Sequence, residues 1–126
     1  MRDDSNFLTL FGHETETRRL APGEVLFHAG DKPDALFIVK QGQIQIYDGA
    51  VVYETVGEGG IIGEMALVDQ SPRSASVRAV TEAEVIPVDQ KRFLWMVAQT
   101  PFFAIRVMKV LTARLRKTDE MLKAKG

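Results

Sequence analysis

From residue 18 to residue 89 the chain never runs far without a glycine, a proline or an Asp/Asn, and between these breaks apolar and β-branched residues alternate with polar ones. That texture predicts many short strands. Gln43-Ile44-Gln45-Ile46-Tyr47 shows it most cleanly, with isoleucine at every second interior position, so one face of this strand is inside. Glu24 to His28, Ala35 to Val39, Val51 to Val56, Ser76 to Val80 and Glu84 to Val88 are the further candidates. The joints are Pro22-Gly23, Gly30-Asp31, Gln41-Gly42, Asp48-Gly49 and Gly57 to Gly60, where glycine supplies the positive φ of tight turns. Strands so short and so closely spaced predict a mainly β fold with flanking helices, an antiparallel barrel or jelly roll.

The pattern changes at both ends. Ser5 can cap a short helical turn through Phe11, and Asp89 is placed to cap a helix over Gln90 to Ala98 with Phe93, Leu94 and Val97 on one face. Thr100-Pro101 then starts a new helix, since proline is tolerated at the first helical position, and this helix is predicted to run from residue 101 to about 124. On it Met108, Leu111, Leu115, Thr118 and Leu122 are spaced by three, four, three and four, as in a coiled-coil seam. Such a seam packs on its own barrel or on a second subunit, and the spacing leaves both open.

The chain has 126 residues, 45% apolar and 26% charged, which fits one soluble globular domain over 1–126 and excludes overall disorder. With no cysteine, disulfides, thiolate metal sites and cysteine nucleophiles are excluded. The longest apolar run, Phe93 to Ala98, is six residues, far below the ~20 that cross a bilayer, and Met1-Arg2-Asp3-Asp4 does not resemble a signal peptide, so a cytoplasmic location and no membrane span are expected. The net charge of −1 hides an asymmetry: residues 1–100 hold nine Lys/Arg against 15 Asp/Glu, residues 101–126 seven against two. An acidic body argues against direct nucleic-acid binding, which depends on neutralising phosphates. The basic tail suits a nucleic acid or an anionic membrane, but such charges more often form the solvated side of an amphipathic helix or complement the acidic body of their own or a partner subunit.

The stretch from Ile61 to Val77 carries the chemistry. A glycine-rich approach ends at Gly63, a short helical pattern starts at Glu64, and a loop returns through Pro72 to Arg73 and a strand. Free N–H groups of a first helical turn point outward at a positive dipole end, and glycine lets a ligand approach the backbone. A planar guanidinium at Arg73 suits two oxygens of one phosphate. Glu64 would be repelled by that phosphate, so its use there is to accept hydrogen bonds from hydroxyls, as acidic residues do with ribose. A phosphate with a vicinal sugar hydroxyl is the implied ligand.

Gly63-Glu64-Met65-Ala66-Leu67 and Pro72-Arg73-Ser74-Ala75-Ser76-Val77 resemble the phosphate-binding cassette of the cyclic nucleotide-binding domain family. The likeness extends upstream through Pro22-Gly23-Glu24, Phe27, Gly30-Asp31, Leu36-Phe37-Ile38-Val39 and Gln41-Gly42-Gln43-Ile44, in the family's order and spacing. The resemblance implies a jelly-roll barrel with a cassette over 61–77 and the fold of cupin-like barrels. It makes Arg73 the partner of the exocyclic phosphate oxygens and Glu64 the acceptor of the ribose 2′-hydroxyl. The backbone N–H groups of Ala66 and of Ser74 or Ala75 would complete the phosphate shell, with one more bond from the Ser74 hydroxyl, and Gly63 and Met65 join the ligand-binding set. Tyr53, Val56 and Ile62 become possible liners for the base, which Thr118 or Asp119 would meet from the final helix. It also implies a non-enzymatic receptor, with no cofactor beyond its ligand, that is a homodimer through the final helix or binds an effector protein. Cyclic AMP is favoured over cyclic GMP, because threonine after the cassette arginine is the family feature linked to guanine, and Ser74 stands there. Ile62 departs from the aromatic residue often found before the cassette glycine. With Gly126 soon after the long helix, a stand-alone domain without a helix-turn-helix is expected.

Two other classes remain in view. One is an interaction module that kept the fold without the ligand; the other is a cupin-like metalloenzyme. Against the second, His28 has no other histidine nearby in the strand pattern and His13 lies outside it, and Ser71, Ser74 and Ser76 have no histidine partner at motif spacing.

Overall fold

The structure, a computed structural model, describes Phe7, Leu8, residues 16–64 and residues 70–125, excepting the side chains of residues 121, 124 and 125. The elements are β1 (Arg18–Leu20), β2 (Val25–Phe27), β3 (Ala35–Gln41), β4 (Ile44–Asp48), β5 (Val51–Val56), β6 (Ile61–Ile62), β7 (Ser76–Ala79), β8 (Ala83–Asp89), α1 (Gln90–Gln99) and α2 (Pro101–Lys125). The strands form two four-stranded antiparallel sheets, β1-β8-β3-β6 and β2-β7-β4-β5, the two walls of the expected jelly roll.

The two walls differ because their outer faces meet different surroundings. The first is covered on one side by the second sheet and on the other by the helices, so Ala35 to Val39 of β3 is buried throughout. Phe37 and Val39 face the barrel interior with Ile44, Val56, Ile62, Val77 and Val85. Leu36 and Ile38 face the other way, into a cluster with Phe7, Met96, Phe103 and Val107. The second wall lacks the helical cover: Ile44 of β4 is buried and Ile46 packs against the same interior, but Gln45 and Tyr47 are half-buried like Ile46, so the alternation its isoleucines predicted is only partly expressed in burial. Gly42, with φ at +88°, closes the β3–β4 turn where any Cβ would run into Glu82 O at 2.4 Å.

Two differences from the sequence reading concern strands. Ile61–Ile62 pairs with Phe37 and Ile38 as a two-residue strand, though the sequence around it reads as neither strand nor long helix. Arg18–Leu20 is likewise too short to show a period. In the helices, Asp89 does cap α1, its carboxylate accepting from the Arg92 N–H at 2.8 Å. Met96, not Leu94, faces the core with Phe93 and Val97: positions 93, 96 and 97 share the inward stripe, and Leu94 is left 58% exposed. After Thr100 the chain turns through 118° into α2. Phe103, Val107 and Val110 hold α2 to the barrel, with Leu111 half-buried beside them. Beyond that contact, Met108, Leu115 and Leu122 are exposed, so most of the predicted seam does not pack on its own barrel. The turn expected from Ser5 to Phe11 lies outside the described residues except for Phe7 and Leu8; Phe7 is fully buried, edge-on to Phe103 with ring centres 6.0 Å apart.

Candidate functional site

Arg73 stands at the end of the loop that leads into β7. Its backbone is clamped to the β2–β3 loop: its N–H donates to Asp31 O at 2.8 Å, and the Gly30 N–H donates to Arg73 O at 2.7 Å. The Gly30-Asp31 joint therefore fixes where this side chain begins. From there it runs inward and is 4% exposed. Nη1 donates to Gly63 O at 2.9 Å, and Nη2 donates to Ala35 O at 2.5 Å and, more weakly, to Asp34 Oδ1 at 3.5 Å. The guanidinium lies 4.1 Å over the ring of Phe27, which in turn stacks on Phe37. Gly63 is at φ +80°, and a Cβ there would come within 2.7 Å of Nη1, so only glycine leaves room for the arginine.

This cation is poorly compensated. Burial lowers the Arg73 pKa below its ordinary value, and the carboxylates of Asp34, Asp31 and Glu64 only partly offset that. Nε is buried with no hydrogen-bond partner among the described residues. A buried donor left unpaired costs about 1–3 kcal/mol. An oxyanion placed beside Nε would satisfy the donor and neutralise the charge together.

Glu64, next to Gly63, is 2% exposed. Its Oε1 accepts from Nη1 of Arg114, which reaches across from α2. The same guanidinium donates through Nε to Glu54 Oε1 at 3.0 Å and through Nη2 to Ile61 O at 2.6 Å. Burial by itself would lower the Arg114 pKa; Glu64 and Glu54 outweigh it and hold the group above its ordinary value. The long helix is thus tied to the cassette carboxylate by a side chain with all its neighbours in place. Beside this tie a cleft of about 710 Å³ runs between β5 and α2, lined among others by Glu54, Val56, Ile61, Arg106, Arg114 and Lys117.

The structure brings Gly63, Glu64 and Arg73 together, and it places the other named residues as follows. Met65 and Ala66 lie outside the described residues. Ser74 is exposed and Ala75 half-buried just beyond Arg73. Val56 and Ile62 are walls of the barrel interior. Tyr53 is half-buried at the β4–β5 bulge, the residue left without a cross-strand partner between Val52 and Glu54. Thr118 and Asp119 are exposed on α2; the Thr118 hydroxyl donates to Arg114 O at 3.0 Å, and neither residue is brought to Glu64 within one chain. His28 is exposed, 4.0 Å from Asp31, and no three His, Asp or Glu side chains gather among the described residues.

Asp34, Glu54 and Arg114 were not singled out from the sequence. For Arg114 a signal existed: it continues the inward stripe Phe103, Val107, Val110, so a cation at that position had to meet a carboxylate or a carbonyl of the barrel. Asp34 and Glu54 offer no comparable pattern, being acidic residues in a loop and a strand.

Residues 17–100 match the family described as cyclic nucleotide-binding domain. The chain is 32% identical over 108 residues to the cyclic AMP receptor protein of Thermus thermophilus, covering 81% of this chain and 50% of that one. It is 31% identical over 78 residues to a cAMP-dependent protein kinase regulatory subunit of Hypocrea atroviridis, covering 62% of this chain and 17% of that protein. Among solved structures it is similar to the Thermus thermophilus catabolite activator protein, with a TM-score of 0.77 at 28% identity, covering 86% of this chain and 54% of that one. A cyclic nucleotide-binding domain from Methylobacillus flagellatus gives a TM-score of 0.74 at 27% identity, covering 87% and 67%. The chain spans about half the length of the Thermus receptor protein and less of the kinase regulatory subunit.

Proposed function

The chain belongs to the cyclic nucleotide-binding domain family, and from that premise we propose that it is a non-enzymatic receptor for a purine 3′,5′-cyclic nucleotide, preferring cyclic AMP to cyclic GMP, that signals through α2. The observation that carries this is Arg73: a buried, underneutralised guanidinium whose Nε donor has no partner among the described residues, seated where the cassette loop and Gly63 converge. The phosphate takes that donor, and amides of the cassette around Ala66 and Ser74 complete the shell. The ribose 2′-hydroxyl donates to Glu64. A sugar held there directs its base into the cleft between β5 and α2, along Val56, with Ile62 behind it and Tyr53 near the strand's bulge. Thr118 or Asp119 meets the base from α2. Ser74, rather than threonine, supports adenine over guanine.

The output follows from the tie between Arg114 and Glu64. A ligand that claims part of the Glu64 carboxylate alters what holds α2 to the barrel, so it shifts the helix between two positions by its differential affinity for them. The exposed Met108, Leu115 and Leu122 support either a second copy or an effector helix on the same stripe, with the second copy preferred. No single helix among the described residues is long and apolar enough to cross a membrane, and a cytoplasmic site of action fits that.

Calorimetric titration with cyclic AMP and cyclic GMP, with 5′-AMP as the acyclic control, tests the reading. Micromolar or tighter binding of a cyclic nucleotide, tighter for cyclic AMP and absent for 5′-AMP, is the expected result; no heat with either cyclic nucleotide would leave an interaction module that kept the fold.

A further inference from the structure

Arg73 shares its aromatic support with a second guanidinium. Phe27, beneath it, stacks on Phe37 with ring centres 6.2 Å apart, and the guanidinium of Arg18 lies 5.1 Å over the Phe37 ring. The two arginines share a carboxylate as well: Asp34 Oδ1 is 3.5 Å from Arg73 Nη2, and Asp34 Oδ2 is 4.0 Å from Arg18 Nη2. Arg73 is buried, but the Arg18 side chain is 48% exposed on β1. It lines a cleft of about 800 Å³ between β1 and α1, separate from the one between β5 and α2. Lys91, Arg92 and Trp95 line this cleft from the face of α1 turned away from the Phe93, Met96 and Val97 stripe. Of its carboxylates, Asp89 caps α1 and Asp34 is divided between the two arginines. Among the described residues that leaves Glu16 against Arg18, Lys91 and Arg92. An exposed indole beside these cations matches a planar ring that carries an anionic group.

We propose that this cleft is a second ligand site, for a small aromatic anion, and that its occupant lowers the affinity of the cassette for cyclic nucleotide through Asp34. The coupling half rests on the nucleotide reading above. An anion paired with Arg18 removes the cation that draws Asp34 outward and repels the carboxylate itself, so Asp34 turns to Arg73 and opposes the incoming phosphate. In reverse, a phosphate on Arg73 releases Asp34 to Arg18 and neutralises a cation of the cleft. The antagonism is equal in the two directions. It is also bounded, because Asp34 is 69% exposed and pairs of that kind are weak.

Trp95 is the chain's one tryptophan and lines the cleft, so its fluorescence reports occupancy. The test titrates the whole chain with phenyl phosphate at constant ionic strength, beside inorganic phosphate, which has the charge without the ring, and benzyl alcohol, which has the ring without the charge. A saturable change in Trp95 emission in the millimolar range is expected with phenyl phosphate, as befits so small a ligand in an open cleft. It should be about tenfold weaker with either control and in Arg18→Gln. Calorimetry at saturating phenyl phosphate is expected to show cyclic AMP affinity lowered by about twofold to threefold, levelling off as the cleft fills. Asp34→Asn should keep the change in emission and lose the antagonism. No saturable response at Trp95, one that Arg18→Gln leaves within about twofold, or one that inorganic phosphate matches would each overturn the site. An antagonism that is absent overturns the coupling, and so does one that grows without limit or survives Asp34→Asn, which means competition at Arg73 itself. If cyclic AMP binds normally in those cases, the receptor reading stands without the proposal. A chain whose Trp95 responds but that binds no cyclic nucleotide overturns the receptor reading and the coupling, and supports the site.

Discussion

Two arginines, Arg73 buried and Arg114 part-buried, lie either side of the Gly63-Glu64 step, and their surroundings are opposites. Arg73 has two backbone carbonyls, one weakly bonded carboxylate with two more nearby, an aromatic ring beneath it and a donor with no partner among the described residues, and its pKa is lowered. Arg114 has two carboxylates and a carbonyl, and its pKa is raised. A guanidinium saturated by its own protein is a clasp, and removing it is felt as lost stability. A guanidinium dehydrated without a full counter-charge is prepared for something from outside, and removing it is felt as lost binding. The contrast teaches that burial of an arginine says little until its partners are counted.

The sharpest way to break this contrast is Arg73→Ala. Truncating one partner of a buried charge pair costs about 2–5 kcal/mol, so cyclic nucleotide affinity should fall roughly 30-fold to several thousand-fold, as calorimetry reads it. Stability should change little by comparison, because the residue contributes a donor unpaired among the described residues as well as its hydrogen bonds. A loss of affinity below threefold would mean that the anion is held elsewhere. Arg114→Ala should show the reverse. It leaves Glu64 buried without its cation, for which about 3 kcal/mol is typical, and the midpoint of urea unfolding should drop accordingly. An unfolding curve that matches the unaltered chain would make the clasp a bystander.

How much of this could be read beforehand differs between the two arginines. Arg73 was legible because a local string specifies it: glycine, glutamate and the Pro-Arg step lie within a dozen residues, and each has a chemical reason to be there. The barrel was legible because glycine turns and alternating isoleucines are also local. Arg114 was legible only as a cation on the inward stripe of its helix; which groups it meets was not, because they lie 50 and 60 residues away and only the folded chain brings them together. The same holds for Ile61–Ile62, a strand only because Phe37 and Ile38 offer it a ladder, and for Leu94, whose hydrophobicity suggested an inward place that helix geometry gives to Met96.

Gly63→Ala sharpens the comparison from the backbone side. The new Cβ meets both a left-handed φ, for which strain of roughly 1–3 kcal/mol is usual, and Arg73 Nη1 at 2.7 Å. Stability should fall by about that amount, and affinity should fall with it by about tenfold because the guanidinium must shift. A variant that loses stability while keeping full affinity would show that the exact seat of Arg73 is unimportant.

The smallest effect tests Asp34, the carboxylate that the Arg73 guanidinium hydrogen-bonds. Asp34 stands 3.5 Å from Arg73 Nη2 and 4.0 Å from Arg18, and its side chain is 69% exposed. Exposed pairs of this kind are worth about 0–1 kcal/mol. If Asp34 served to aim Arg73, Asp34→Asn would weaken nucleotide binding. The aim is already set, however, by Ala35 O and Gly63 O and by the Phe27 ring, none of which depends on Asp34. What remains of its influence is electrostatic: a negative charge that shares Arg73 with the incoming phosphate and repels it. Asp34→Asn should therefore tighten binding, by less than about threefold, and the gain should shrink in high salt as screening removes the repulsion. Weaker binding in the variant would reverse this assignment, making Asp34 part of the cage that holds Arg73 in place.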